Sequence, residues 1–394
     1  MTQRGYMPTV HAESQELVAS VFEAVEGISA AFPRSLFLQR AREGGHAREL
    51  WQALVDADLL AVGVPEELGG AGGGLTGTTA VMEALARAGV PPLQYSLTTF
   101  SREAILRHGT EEQINDHVIS TITGKRKICL GVTEPEAGTN SFASRTYARK
   151  TASGAYRISG QKVFISGADE SDHILLLART APPGEKVGRR SGFGLFIVDM
   201  SLPGIELRKL DIEWHAPENQ FEVFFDDVEV PAEALIGTEG MGFDHILSCL
   251  NQERVTVAAW ALGLGDYALR KAVEYAKVRA PFGAPIGTHQ AVQHPLALAK
   301  AEMEAARQVM YSAAATYDSG VDAGDQANMA KLLGSRSALA AVDAAIQTHG
   351  GSAFVYETDV VTIWPMVRIL QIAPLNNESI LNYISERVLG LPRG

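Results

Sequence analysis

Glu253 and Arg254 stand side by side in SCLNQERVTVAAW (248–260), a run that is otherwise mostly apolar. On a helix, the i±3, i±4 and i+7 spacing places Glu253 over Cys249 and Leu250 on one side. Thr256, Val257 and Trp260 fall on the other. The result is a core-type stripe with an acid in its middle. Desolvation raises the pKa of such a carboxylate, and a general base working near neutral pH needs that shift. The alternative is structural: a Glu–Arg pair at a domain edge. The stretch by itself leaves both open.

A second constellation is VTEPEAGTN (132–140), with a hydroxyl at Thr133, a Pro-stiffened turn, and Gly138 where backbone can approach another group closely. Other motifs carry less. GLGDYA (263–268) matches G-x-G-x-x-A, but it lies inside a helical pattern and follows no strand, so close helix packing explains its glycines better than a dinucleotide. His289 and His294 are not at metal-ligand spacing, and no H-E-x-x-H, Cys cluster, G-x-S-x-G or P-loop occurs, so no metal site is expected.

The elements that must position these groups change character along the chain. Residues 1–125 read as a helical domain, as in SQELVASVFEAVEGI and GTTAVMEALARAG, broken at GVPEELGGAGGG and VPPL. Residues 126–235 read as short strands: KICLGV, AYRISGQKVFISG, HILLLART, GFGLFIVDM and FEVFFDDVEV, with a polar, basic hairpin tip at 180–192. Residues 236–394 return to helix, with Ala-rich amphipathic segments at 240–279, 289–318 and 325–349. The order α, β, α marks an α+β chain rather than alternating βαβ units. A chain of 394 residues with 46% hydrophobic and 20% charged content can bury a large core. Its formal net charge of −12 argues against nucleic acid as a partner. Cys129 and Cys249, far apart, fit a reducing, cytoplasmic setting. No signal-type segment opens the chain and no apolar run is long enough to span a membrane.

Four stretches in order resemble the acyl-CoA dehydrogenase flavoprotein superfamily: GTEEQINDHVISTITGKRKICLGVTEPEAGTNSFASRT (109–146), YRISGQKVFISGADESDHILLLART (156–180), VPAEALIGTEGMGFDHILSCLNQER (230–254) and YAKVRAPFGAPIGTHQAVQ (275–293). LLAVGVPEELGGAGGGLTG (59–77) and ISERVLGLPR (384–393) agree. The resemblance implies an N-terminal helical domain, a central β-barrel-like domain, a C-terminal four-helix bundle, and FAD at their junction. It implies α,β-desaturation of an acyl-CoA or other acyl thioester, with electrons passing to an electron-transfer flavoprotein. It also implies a homodimer or homotetramer, since a neighbouring subunit supplies part of the flavin site in that family.

By the same resemblance, Leu130, Val132, Thr133, Gly138, Thr139, Phe164, Ser166 and Asn376 face the flavin. Phe164 stands where the family usually has Trp, and Ser166 replaces Thr. Arg279, Phe282, Gln290, Gln347, Gly350 and Gly351 match the groups for the pyrophosphate and adenosine half. Thr139, Leu250, Asn251 and Arg254 match the substrate channel. Most members carry the base in a Y-E-G-T loop, but here the aligned loop reads QIAPLNNES (371–379), with Pro374 where Glu is expected and Leu375–Asn376 for Gly-Thr. A minority, resembling the long-chain and isovaleryl enzymes, carry the base on a helix ending in Glu-Arg, and LNQER puts Glu253 there. Glu378 is the next candidate. Proline has no N–H, so Pro374 also removes a backbone donor that the family uses on the thioester oxygen. Three alternatives to the common reaction follow. The chain could be a specialised member acting at another position or on a carrier-protein thioester, a flavin monooxygenase, or a non-catalytic FAD-binding subunit of a heteromeric dehydrogenase.

Overall fold

The computed structural model describes residues 12–182, 188 and 190–393. The opening segment read for targeting signals, and the centre of the 180–192 hairpin tip, lie outside the described residues. The N-terminal region holds α1 (Ala12–Ala31), α2 (Arg34–Glu43), α3 (Arg48–Asp56), α4 (Gly74–Arg87) and α5 (Leu93–His108). The short helices α6 (Glu111–Gln113) and α7 (Ile119–Ile122) follow, joined by a π-helical turn. From Leu75 to Ala86 every residue of α4 is buried, so it is a core helix rather than a surface one.

The middle region is one mixed sheet of eight strands: β1 (Ile128–Gly131), β2 (Tyr147–Lys150), β3 (Tyr156–Ser166), β4 (His173–Arg179), β5 (Phe193–Asp199), β6 (Ile205–Lys209), β7 (Gln220–Val230) and β8 (Leu235–Ile236). Their order is β6-β7-β3-β2-β4-β5-β8, with β1 paired in parallel to β4. Among the described residues β6 and β8 end the path, and this sheet is the middle domain that the sequence led one to expect. LLLA in β4 and GLFIV in β5 are apolar on both faces, as strands covered on both sides must be.

The C-terminal region contains α8 (Gly242–Val278), α9 (Gln290–Asp318) and α10 (Gly324–His349). The short α11 (Ile363–Ile369) follows, and then α12 (Asn377–Tyr383), which continues as a π-helical turn to Val388. From Val255 to Gly265, α8 is buried all round, enclosed by α4, α9 and α10. The glycines of GLGDYA serve that enclosure. A Cβ on Gly263 would sit 2.5 Å from both the Ala86 Cβ and the Glu83 carbonyl oxygen. One on Gly265 would meet Met303 at 2.8 Å and the Ala338 backbone at 3.2 Å. These are helix contacts, as the sequence context implied.

Candidate functional site

The VTEPEAGTN loop leaves β1 and is pinned by two charges the sequence reading did not single out. The Lys162 ammonium, fully buried on β3, donates to Glu134 Oε1 at 2.8 Å and to the Val132 carbonyl at 3.1 Å. Glu134 also accepts from the Arg145 and Thr146 backbone N–H groups at 2.6 and 3.0 Å. Burial alone would raise the Glu134 carboxyl. The Lys162 charge and these donors outweigh it and hold the group at about 2. Burial lowers Lys162 to about 8.

One residue further, Val163 donates its N–H to the Thr133 carbonyl at 2.9 Å, and the β3–β7 register then slips before Ile165. Phe164 occupies the slip at φ +58° and its ring is 63% exposed. A bulge that turns a large aromatic into the open, at a backbone angle rare for such residues, presents a flat apolar face to a ligand. Beyond it, Ser166 Oγ accepts from Gln220 Nε2 at 2.6 Å, a partner the sequence gave no sign of. Gly138 is exposed, and a Cβ there would meet nothing within 4 Å, so nothing in this chain itself requires glycine at that place.

Glu253 lies on α8, three residues after Leu250. Its carboxylate is half-buried and makes no hydrogen bond or ion pair among the described residues. Successive helix residues point apart, and Arg254 donates instead to Asn251 Oδ1 at 2.7 Å. The local Glu–Arg pair is therefore not formed. Burial pushes Glu253 up to about 7, against the pull of Arg254 and Lys331. Leu130, Val132 and Leu250 pack on one apolar cluster, which brings the sheet side and the α8 side together.

The loop that lacks the usual acid completes the face. Asn376 Nδ2 donates to Thr139 Oγ1 at 3.1 Å, joining the C-terminal loop to VTEPEAGTN. Asn376 Oδ1 accepts from Ser379 N at 2.7 Å and so caps α12. Glu378 is exposed on the first turn of α12.

The remaining expected residues lie elsewhere. Arg279, Phe282 and Gln290 sit between α8 and α9, and Gln347, Gly350 and Gly351 at the end of α10, all exposed. Tyr275 and His349 stack at 4.5 Å between the two groups, so they share one end of the bundle. Beside them a hollow of about 780 Å³ opens between α8 and α9, lined by Arg270, Val273, Lys277, Val292 and Leu296. Arg279 is roughly 39 Å from Glu253 along α8 at about 1.5 Å per residue. One chain thus carries two separate half-sites. One presents an exposed aromatic face with hydroxyls near it, and the other a guanidinium with unobstructed glycines.

Residues 13–125, 129–228 and 240–389 match the models of the acyl-CoA dehydrogenase N-terminal, middle and C-terminal domains. Over 388 residues the chain is 37% identical to the acyl-CoA dehydrogenase fadE12 of Mycobacterium bovis, covering 98% of this chain and 99% of that protein. The butyryl-CoA dehydrogenase of Megasphaera elsdenii superposes with a TM-score of 0.89 at 29% identity, over 97% of this chain and 99% of that one. The FAD complex of PigA gives 0.88 at 25%, over 98% and 99%. With all three domains matched in order along the whole described chain, the protein belongs to the acyl-CoA dehydrogenase family.

Proposed function

We propose that this family member desaturates an acyl-CoA between its α and β carbons, with Glu253 as the base and FAD as cofactor. The observation that carries the reading is the Glu253 carboxylate: half-buried, raised by burial, without an ion pair among the described residues, and three residues along α8 from Leu250, which shares an apolar cluster with Leu130 and Val132. FAD, when bound, supplies the acceptor for the β-hydrogen. The protein's own part is to take the α-proton on a Glu253 carboxylate oxygen. Thr133, Phe164 and Ser166 hold the ring portion of the cofactor, with Leu130, Val132 and Gly138 around it. Thr139, Leu250, Asn251 and Arg254 line the thioester channel.

Pro374 offers no donor to the thioester oxygen, but the Asn376 amide has a second N–H beyond the one given to Thr139. That group, or the Leu375 backbone N–H, takes the place of the missing donor. Arg279, Phe282, Gln290, Gln347, Gly350 and Gly351 serve the pyrophosphate and adenosine half of a cofactor held by a second copy, so the working unit is a homodimer or homotetramer. Electron-transfer flavoprotein is the electron acceptor by family resemblance. A cytoplasmic location fits two buried, free cysteines. Among the described residues, no helix is long and apolar enough to cross a membrane.

One observation favours a second reading: the loop carrying Pro374 is rebuilt around Asn376 and Asn377 rather than merely stripped of its acid. Such a loop suits a carrier-bound thioester, another position of attack, an oxygenase, or a passive subunit. Anaerobic mixing of the FAD-loaded protein with straight and branched acyl-CoAs decides between the readings. Bleaching of the flavin absorbance by at least one of them is expected. No bleaching by any member of the panel overturns the acyl-CoA reading.

A further inference from the structure

The stripe of α8 that carries Glu253 continues through Thr256 and Val257 to Trp260. Seven residues bring the helix back to within about 20° of the same direction and about 10 Å further along. The contacts of neighbouring positions say which way that stripe looks. Ala258 meets α10, since a Cβ on Gly334 would lie 3.1 Å from its Cβ, and Gly263 meets α4, 2.5 Å from the Ala86 Cβ. Two residues on from Ala258, Trp260 projects about 200° round the helix and so away from α10. It meets Trp214 of the β6–β7 connection instead, with ring centroids 6.5 Å apart and planes at 80°.

Burial gives the stripe an inside and an outside. Asp244, Leu247, Leu250 and Asn251 are half-buried, whereas Val255 to Gly265 are buried without a break. A bulky coenzyme arm can leave only by the half-exposed side, so an acyl chain with its α-carbon at Glu253 runs inward, toward Trp260. The polar groups met there are unevenly spent. Thr256 Oγ1 donates to the Gln252 and Glu253 carbonyls at 3.2 and 3.1 Å. The Trp214 and Trp260 indole N–H groups are both buried and have no hydrogen-bond partner among the described residues. Trp260 as a whole is only 3% exposed. Their ring contact fixes the pair but supplies no lone pair, and a buried donor left unpaired is costly. A wall meant only for a hydrocarbon tail needs no such donors, because Phe would pack there without them.

We propose that the inner end of the acyl channel receives an uncharged oxygen, keto or hydroxyl, borne near the far end of a medium-length acyl chain, with the Trp214 and Trp260 N–H groups as its donors. Indole nitrogen donates and cannot accept, so the ligand must bring the lone pairs. The stripe from Glu253 to Trp260 carries no cation, which suits a neutral oxygen rather than a carboxylate. The inference rests on the reading of Glu253 as the base, since Glu253 sets where the α-carbon lies.

The test is calorimetric binding of acyl-CoAs to the FAD-loaded Glu253→Gln protein, with flavin absorbance followed in parallel. Medium-length acyl-CoAs are compared with counterparts carrying a keto, hydroxyl or carboxylate group at the chain end. The keto or hydroxyl forms should bind roughly five- to tenfold tighter than the plain chain, the range of one or two neutral hydrogen bonds. Adding Trp260→Phe, which keeps an aromatic ring and removes the N–H, should abolish that preference and leave plain chains within about twofold. Should that protein fail to fold, Trp214→Phe at the half-buried partner carries the same expectation. Equal binding of plain and oxygenated chains overturns the inference, as does a preference that survives both Phe substitutions. A gain as large for the carboxylate overturns the neutral class. Bleaching of Glu253→Gln at a near-normal rate, with the preference intact, keeps the channel end and overturns the base.

Discussion

Glu253 owes its basicity to the water it has lost, and that loss has a price in stability whose sign can be worked out. Its folded pKa is about 7, against an ordinary 4.5. Below about 4.5 the group is protonated in both folded and unfolded chains, and no penalty exists. Between the two values only the unfolded chain ionises, so stability falls as pH rises, and above about 7 the whole penalty stands. Glu253→Gln removes it. Denaturant unfolding of the FAD-loaded proteins should therefore show the variant gaining up to about 3 kcal/mol at pH 8 and little at pH 4.5. An equal difference at both pH values would mean that the carboxyl is not desolvated.

At this scale the sequence was unevenly informative. Glu253 was legible because its stripe follows from helical spacing alone. Nothing in ANMAKLLGSRS marked Lys331, which is buried and donates to the Leu375 carbonyl at 2.6 Å. Its burial arises only when α8 and the Leu375 carbonyl close over it, and neither is near in sequence.

The elements around the site are set by pairs that span strands. The Lys162–Glu134 bridge ties β3 to the VTEPEAGTN loop just before the bulge that exposes Phe164. Breaking a buried pair from one side strands a charge, at a loss of roughly 3–5 kcal/mol. Lys162→Met should destabilise the protein by about that amount and weaken FAD retention. The double variant Lys162→Met with Glu134→Gln should recover much of the stability. A double variant no better than the single would show that the bridge is not the pin.

Strands with long apolar runs, β3, β4, β5 and β7, were readable from composition. The short strands β2, β6 and β8 were not: β2 and β6 expose much of their length, and β8 is only two residues long. The bulge was hidden too, because a register slip depends on the partner strand. The rebuilt C-terminal loop was visible as a substitution, Pro374 for an acid, but the Asn376–Thr139 link that ties it to the flavin side was not.

For the whole molecule, the α, β, α order and the three long C-terminal helices follow from patterning that no tertiary contact overrides. The distribution of the site does not. Residues assigned to one cofactor stand at two ends of α8, and Phe282, 95% exposed, sits at the far end with Arg279. Such an arrangement makes sense if each chain gives its Glu253 face to one cofactor and its Arg279 end to a neighbour's. That reading takes the second half-site out of the isolated chain but leaves the chemistry wholly with Glu253, since the proton must be taken where the thioester lies. The central claim is accordingly tested by single-turnover flavin bleaching in wild type and Glu253→Gln, both FAD-loaded, with the best acyl-CoA substrate at pH 8. The account predicts that Glu253→Gln retains FAD and binds the thioester, but bleaches slower by at least the roughly 10²–10⁴-fold typical of a lost general base. Bleaching at a near-normal rate would contradict it and move the base elsewhere, first to Glu378.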